Sequence, residues 1–163
     1  MLFKKKKNTL PKQRDMLSYF MYRDSLTGQM NNQFTIKTFE NVKHTDGYGV
    51  VMVHVENAES MPYYKAVKYI KEAAQIVASI SEDEVARTKD GYFMIFSENA
   101  KLLADKLELF LPEFSCEDVM YTSAYVELDA NDDFDTLMRK LKRRIAVAEN
   151  AAHIKLVRDL PII

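Results

Sequence analysis

The spacing of hydrophobic positions divides the chain into strands and helices. Residues 48–56 form a nearly continuous run of apolar and β-branched side chains, which is typical of a central strand covered on both faces. After this run, apolar residues recur at helical spacing in three segments. One opens at Pro62, one covers about residues 99–111 and stops at Pro112, and one follows Asp132. This order predicts a sheet with helices packed on its faces.

Two further helices are predicted ahead of the central strand. The first begins at Pro11, and the second is capped by Asn31 or Asn32 after a break that ends in a glycine. Two more strands are predicted in the second half of the chain. They cover residues 119–128 and, as a short edge strand, residues 154–157.

The clearest local signal is a hairpin between Val85 and Phe96. Two short apolar segments flank Asp90 and Gly91, and this dipeptide suits a type I′ turn, in which both central residues have positive φ angles. The sequence therefore predicts an α/β (α+β) fold. We expect one mixed sheet of about five strands with flanking helices, preceded by the N-terminal helix.

The overall composition limits the function classes. The chain has 163 residues, which suits one domain, and its 23 lysine and arginine residues nearly balance 24 aspartate and glutamate residues. No global charge therefore attracts nucleic acid or lipid. The chain has a single cysteine, Cys116, and no apolar run approaching the length of a membrane span, so the cytoplasm is the simplest location.

We divide the chain into a basic flexible tail, residues 1–10, and a single domain, residues 11–163. The tail carries consecutive lysines and too little apolar content to fold. A solubilising role is the simpler interpretation, and weak contact with an anionic surface is the alternative. Such a contact would use Lys4, Lys5, Lys6 and Lys7.

Two separated segments resemble the motifs of one family. Residues 24–32 read Asp-Ser-Leu-Thr-Gly-Gln-Met-Asn-Asn and resemble the D-x-L-T-G-L-x-N-R motif at the start of GGDEF domains, the diguanylate cyclases. They depart from it at Gln29 and Asn32. Residues 83–93 resemble the D-x-v-a-R-x-G-G-D-E-F hairpin of the same family. The resemblance covers about residues 11–158 and implies the GGDEF fold.

The departures from the family's pattern fall on the residues that would carry its chemistry. The resemblance implies divalent metals held by acidic groups of the hairpin and of the central strand, because such cations prefer carboxylate oxygens and phosphoryl transfer depends on them. Here His54 stands near the first metal-binding position, and Glu56 replaces a second strand acid. The hairpin signature reads, in order, Lys89, Asp90, Gly91, Tyr92 and Phe93.

Other contacts implied by the resemblance are also altered. The residues that read guanine in the family would fall near Pro62 and Tyr63, and Glu149 stands where a phosphate-contacting lysine is expected. In the family's product-binding inhibitory motif, R-x-x-D, Asp83 keeps the aspartate but Ile80 replaces the arginine. We therefore interpret Asp83 as a polar residue at the start of the hairpin strand.

A metal site with His54 and Glu56 as two of its ligands remains an alternative, because alternate residues of a strand share a face. Two ligands without a third acid nearby are common by chance, so we predict no bound metal, no cofactor and no catalytic residue. Asp90 would supply a carboxylate only if the turn slipped by one residue, and buried strand faces resist such a slip.

The sequence therefore favours a catalytically inactive GGDEF-like domain that acts as a regulatory or protein-interaction module. A protein partner is expected, and a homodimer through the N-terminal helix and the basic face of the last helix is one form. The alternative is a nucleotide or cyclic-dinucleotide receptor, or a weak nucleotide hydrolase, in which Arg87, Lys89 and Lys65 contact phosphates. Apart from the weak contact of the lysine tail with an anionic surface, no nucleic-acid or membrane partner is expected.

Overall fold

The computed structural model describes residues 20–116 and 118–158, with side chains described as far as residue 152. The basic tail and most of the helix predicted from Pro11 lie outside these residues. The described residues form four α-helices and four β-strands. In chain order they are α1 (Asn32–Val42), β1 (Gly49–Val55), α2 (Tyr63–Ile80), β2 (Ala86–Lys89), β3 (Tyr92–Ser97), α3 (Ala100–Phe114), β4 (Tyr121–Glu127) and α4 (Phe134–Arg158).

The four strands form one sheet in the order β2-β3-β1-β4. β1 is central, as its apolar run predicts, and all of its residues are buried. Each neighbouring pair of strands is antiparallel, and the described parallel pairing is a single isolated bridge between Met30 and Ala86. The α+β class is confirmed, whereas the prediction of a mixed sheet of about five strands is corrected to four antiparallel strands.

Helices cover both faces of this sheet. Alternate residues of β1 face opposite layers, because side chains of a strand point alternately to its two sides. Val51 and Val53 pack in the core beneath α2 and α3, whereas Val50 and Met52 pack in the core beneath α1 and α4. His54 continues the second series, so its side chain is directed toward the α1–α4 layer.

The edge strand predicted over residues 154–157 is wrong, because α4 continues through it to Arg158. No glycine or proline interrupts the sequence from Phe134 to Arg158, and alanines and long charged side chains with high helix propensity precede the short β-branched segment. One consequence is that β4 forms an edge of the described sheet.

The end of α3 also differs from the prediction. The helix does not stop at Pro112 but continues to Phe114. Proline lies in the last turn, which tightens so that the Ser115 N–H donates to the Pro112 carbonyl at 3.3 Å. The buried stripe ends at Leu111, four residues after Leu107, and the neighbouring Phe110 is 40% exposed.

The hairpin of β2 and β3 is confirmed, but its turn is not type I′. Asp90 has φ 47°, whereas Gly91 is not among the glycines with positive φ. A bulge at Thr88 shifts the register locally between the Arg87–Phe93 and Lys89–Tyr92 pairs. The bulge places one extra residue in β2 next to the turn, and Asp90 and Gly91 remain the two turn residues.

Close packing, and not backbone conformation, explains the glycine at position 91. A Cβ there would lie 2.8 Å from the Cβ of Ala58, 3.0 Å from the Cβ of Val55 and 3.1 Å from the Val55 carbonyl oxygen. The Gly91 carbonyl also accepts a 2.8 Å hydrogen bond from the Val55 N–H. The hairpin turn is thus seated directly on the end of β1.

We expect Gly91→Ala to lower the free energy of unfolding by about 1–3 kcal/mol, since the added methyl group overpacks this contact. Introducing Gly91→Ala into an Ala58→Gly background should be less damaging, because the nearest atom is then removed. Urea unfolding of the two single variants, the double variant and the parent measures this coupling. Equal losses in both backgrounds would contradict the packing explanation.

Candidate functional site

The candidate site lies at the end of β1, around His54, which is 5% exposed. Its Nδ1 lies 2.5 Å from Oε1 of Glu149 on α4, and its Nε2 lies 3.2 Å from Oε1 of Glu59. The ring of Tyr92 stacks on the imidazole, with centroids 4.0 Å apart and planes inclined by 11°. The imidazole is therefore held at both nitrogens and on one face.

Two ionised carboxylates can accept from this ring only if both nitrogens carry hydrogen, so the geometry is that of an imidazolium. Burial alone would lower the pKa of His54. The hydrogen bonds and negative charges of Glu149 and Glu59 outweigh burial and raise the pKa above its ordinary value. The site therefore stabilises a cation inside the protein.

A short turn after β1 places Glu59 in this cluster. Asn57 has φ 62°, and its carbonyl accepts hydrogen bonds from the N–H groups of Ser60 and Met61. The resulting turn, Ala58–Ser60, folds the chain back toward the strand end. The carboxylate that meets His54 thus belongs to Glu59, whereas the sequence pattern paired the histidine with Glu56.

Helix α4 supplies both an acid and a cation to the site. Glu149 bonds to His54, and Nζ of Lys142 lies 4.9 Å from the centroid of the Tyr92 ring. Sequence reasoning missed the roles of Lys142 and Glu59. The seven-residue spacing of Lys142 and Glu149 places them two turns apart on one helix face, a signal that would have linked them.

Several basic side chains of α4 have partners within the protein. Arg144 donates to the Tyr125 carbonyl at 2.6 Å, and Lys140 lies 2.5 Å from the Asp132 carboxylate. At the start of the helix, Asp133 accepts a hydrogen bond from the Thr136 N–H at 2.7 Å. Hydrogen bonds from the Thr136 side chain and from its N–H hold the pKa of Asp133 below its ordinary value.

The five signature positions have different environments. Lys89 is exposed, Asp90 and Gly91 form the turn, Tyr92 stacks on His54, and Phe93 is fully buried in the core. Tyr92 is the member of this group whose ring stacks on the imidazole of His54. The hairpin thus contributes an aromatic ring to the candidate site.

Arg87 joins the hairpin to the other motif on which the resemblance rests. Its guanidinium binds both carboxylate oxygens of Asp24 at 2.9 Å and donates to the Asp90 carbonyl at 3.0 Å. The Thr27 hydroxyl and N–H also donate to Asp24, at 2.7 Å and 3.0 Å. Burial alone would raise the pKa of Asp24, but these hydrogen bonds outweigh it and lower the pKa.

Asp83 lies away from His54, beside a cleft of about 430 Å³. Its backbone N–H donates to the Ser81 hydroxyl, which donates in turn to the Asp83 carbonyl. The cleft is lined by residues of both charges together with the opening motif. Among them are Arg23, Gln29, Lys71, Asp83 and Glu84.

The described residues contain neither a cluster of metal ligands nor a membrane-spanning helix. No group of three or more histidine, cysteine, aspartate or glutamate side chains in that part of the chain is arranged to hold a metal ion. No described helix is both long and apolar enough to cross a membrane.

We expect Glu149→Gln to lower the pKa of His54, because the neutral amide no longer favours the imidazolium. A folded-state pKa above the unfolded value of about 6.5 stabilises the protein fully below that pH and loses its effect as the pH rises through the folded pKa. Parent and variant should therefore differ most at lower pH, by about 2 kcal/mol.

Histidine NMR titration and urea unfolding from about pH 6 to 9 measure these two effects. Glu108→Gln, which removes an exposed carboxylate from α3, is the matched control. A His54 pKa that is the same in parent and Glu149→Gln protein would contradict the ion-pair assignment.

We expect Arg87→Lys to lower the free energy of unfolding by about 2 kcal/mol, because lysine cannot bind both oxygens of Asp24. A lowered Asp24 pKa stabilises the protein above about pH 4 and loses its effect as the pH falls through the folded value. The difference between parent and variant should shrink in acid. Denaturation at two pH values tests this, with the exposed Arg139→Lys change as control.

Comparisons with known proteins rest on structure alone. No family model matches the chain, and no curated protein matches it. The GGDEF domain of Caulobacter crescentus DgcB with its coiled coil, solved in complex with c-di-GMP, has a TM-score of 0.70 and 12% identity. That match covers 85% of each chain.

Two further solved structures are similar. The S helix-GGDEF-EAL region of Vibrio cholerae LapD, bound to c-di-GMP, has a TM-score of 0.69 and 16% identity over 86% of this chain. This match spans 37% of the LapD chain, so the present chain corresponds to a minor part of it. Pseudomonas aeruginosa diguanylate cyclase SiaD, in complex with its activator SiaC, has a TM-score of 0.65 and 13% identity, covering 85% of this chain and 63% of that one.

At these identities the similarity concerns the fold. The expectation raised by the two sequence motifs is confirmed at that level. The fold of this chain matches that of a GGDEF domain.

Proposed function

We propose that this chain is a catalytically inactive GGDEF-like domain that acts as a regulatory or protein-interaction module. The observation that carries the proposal is the closed cluster of His54, Glu59, Glu149 and Tyr92. In the family pattern, the strand position would present a carboxylate to divalent metals. Here it presents a ring whose two nitrogens already have partners.

The donor set does not fit a pair of magnesium ions. Such ions prefer several oxygen ligands, and imidazole is a poor substitute. A metal approaching Glu59 or Glu149 would also meet the positive charge that these residues stabilise on His54. At the hairpin, Gly91 has no carboxylate, and Val55 and Ala58 cover the side on which a Cβ would stand.

The charge at Glu149 supports the same proposal. The resemblance implies a lysine that contacts phosphate at this position, and a carboxylate there would repel a triphosphate. Glu149 is instead directed to His54, at 2.5 Å. We therefore assign no catalytic residue, metal or cofactor.

The interaction role has separate support. SiaD was solved with a protein activator, so a protein partner is compatible with this fold. We keep the division into a basic tail, residues 1–10, and one domain, residues 11–163, as part of the proposal. The partner in this proposal is another protein or a second copy of the chain. The tail would in addition make weak contact with an anionic surface through Lys4 to Lys7.

The alternative function is a nucleotide or cyclic-dinucleotide receptor, or a weak hydrolase, with a remodelled pocket. The cleft beside Asp83, which includes Arg23 and Lys71 in its wall, is the observation in its favour. Of the cations expected to contact phosphate, Arg87 is already bound to both oxygens of Asp24. The alternative therefore relies on other basic residues.

We expect the purified chain to form no cyclic di-GMP from GTP with magnesium or manganese. Chromatography of the reaction, with an active diguanylate cyclase as positive control, measures the product. The Glu149→Lys variant restores the expected cation and should also be inactive, because Gly91 still supplies no carboxylate. Product from the parent chain would overturn the proposal.

A thermal-shift panel of GTP, ATP and cyclic di-GMP separates the two candidate functions. The interaction module should unfold at the same temperature with and without each nucleotide. A concentration-dependent rise with one of them would favour the receptor, since a ligand that binds only the folded state stabilises it.

A further inference from the structure

Strand β4 exposes one row of backbone groups along the edge of the described sheet. It pairs with β1 on one side and with no other strand of the described part. The Met120 carbonyl accepts from the Glu56 N–H, and the Leu128 N–H donates to the Tyr48 carbonyl. Even-numbered residues of β4 therefore direct their backbone groups toward β1, and odd-numbered residues direct theirs outward.

Some of these outward groups already have partners. The Tyr121 N–H donates to the Ser115 hydroxyl at 3.2 Å, and the Tyr125 carbonyl accepts from Arg144 at 2.6 Å. Within the described part of the chain, the N–H and C=O of Ser123 and the N–H of Tyr125 have no protein partner. Such an edge is a template for an added strand.

A cleft of about 580 Å³ runs between this edge and α4. Its wall includes Tyr125, Lys140, Arg143 and Arg144. Lys140 is neutralised by Asp132, whereas Arg144 bonds to an uncharged carbonyl and Arg143 has no ion-pair partner among the described residues. Two guanidinium charges beside the outward groups are thus uncompensated by an ion pair.

The acidic residues of the cleft lie at the end of the strand. Glu127 accepts from the Tyr125 hydroxyl at 3.4 Å, and Asp129 accepts from the Asn131 N–H at 2.9 Å. Both lie in the turn between β4 and α4 or next to it. Both acids thus follow Tyr125 along the chain, and it is Arg144 that contacts the outward carbonyl of Tyr125.

We propose that β4 accepts an extended segment of a partner protein as a fifth strand, and that acidic side chains of this segment pair with Arg143 and Arg144. The backbone groups of Ser123 and Tyr125 would supply affinity, and the two guanidinium groups would select the acidic sequence. The inference rests on the interaction role proposed above and not on the loss of catalysis.

A second copy of this chain is a poorer occupant for the same edge. Pairing two β4 strands would bring the Arg143 and Arg144 side chains of both copies to one interface. Like charges at such a contact repel, and each copy brings two guanidinium groups that have no ion-pair partner among the described residues. An acidic segment from another protein removes that repulsion.

Arg144 would contact one group in the free protein and another after the partner segment has bound. In the free protein it covers the Tyr125 carbonyl, which protects part of the edge from unwanted pairing. On docking, the carbonyl is taken by a backbone N–H of the added strand, and the guanidinium turns to a carboxylate. A charge-assisted pair then replaces a bond to a neutral oxygen.

The test uses two blocked peptides, one alternating threonine with glutamate and the other threonine with lysine. Amide hydrogen exchange, followed by NMR on the full chain, reports the outward and inward groups separately. In the free protein, the Ser123 and Tyr125 amides should exchange faster than those of Thr122 and Ala124. The glutamate peptide should slow the two outward amides, and the lysine peptide should leave them unchanged.

Variants test the charge and backbone parts of the proposal. The double change Arg143→Ala, Arg144→Ala should weaken binding of the glutamate peptide about tenfold or more. Arg139→Ala, an exposed arginine of the same helix that does not line the cleft, is the matched control. Ser123→Pro removes an outward N–H without removing a bond to β1 and should also weaken binding.

Three results would overturn the proposal. One is slow exchange of the outward amides without peptide in a sample that sediments as a dimer, which would identify a second copy as the occupant. The others are failure of the glutamate peptide to protect these amides and equal protection by both peptides. None of these results affects the assay for cyclic di-GMP, so the inactive role is tested separately.

Discussion

A strand that is covered on both faces and paired on both edges gives a polar side chain no route to water. β1 is such a strand, and His54 is buried on it. A desolvated cation is unfavourable unless charged or polar groups replace the water it has lost. Glu149 and Glu59 fill this need and join the end of β1 to α4 and to the turn after the strand. The arrangement of the candidate site therefore follows from burial of the central strand.

The departures from the family pattern at His54 and Glu149 compensate each other, because the two side chains are in contact. The resemblance implies an acid on the strand and a cation on the last helix, whereas this chain has a histidine on the strand and an acid on the helix. An aspartate at position 54 facing the present Glu149 would place two carboxylates together in a buried site, which is strongly unfavourable. The two departures from the family pattern thus form a single contact in the folded protein, in which the acid of Glu149 balances the charge of His54.

Local periodicity predicted the elements whose boundaries depend on local chemistry. β1, α2, the two-residue hairpin loop and the Asn31 cap of α1 all follow from apolar spacing or from a capping side chain. The end of α3 did not follow, because the hydrogen bonds of the last turn allow the helix to continue past Pro112. Gly91 was read as a conformational requirement, although the close approach of Ala58 and Val55 explains it.

Several residues of the candidate site were named from the sequence, but the contacts among them were not. His54, Tyr92 and Glu149 were singled out by comparison with motifs, yet nothing in their sequence separation shows that they touch. Glu59 was missed because it reaches His54 only through the left-handed conformation of Asn57, and an asparagine in a polar segment does not specify that turn. Non-local contacts of this kind are set by how β1, β3 and α4 pack together.

Helix α4 connects the histidine cluster with the sheet edge, but docking at one need not alter the other. Leu141 and Ile145, which lie between Lys140 and Glu149, are almost completely buried and fix the helix against the sheet. Moving the whole helix would expose these side chains, at about 1.5–3 kcal/mol for each. Turning the Arg144 side chain from a carbonyl to a carboxylate requires no such exposure. A strand added at β4 is therefore accommodated by side-chain exchange, and the bonds between His54 and its two acids are retained.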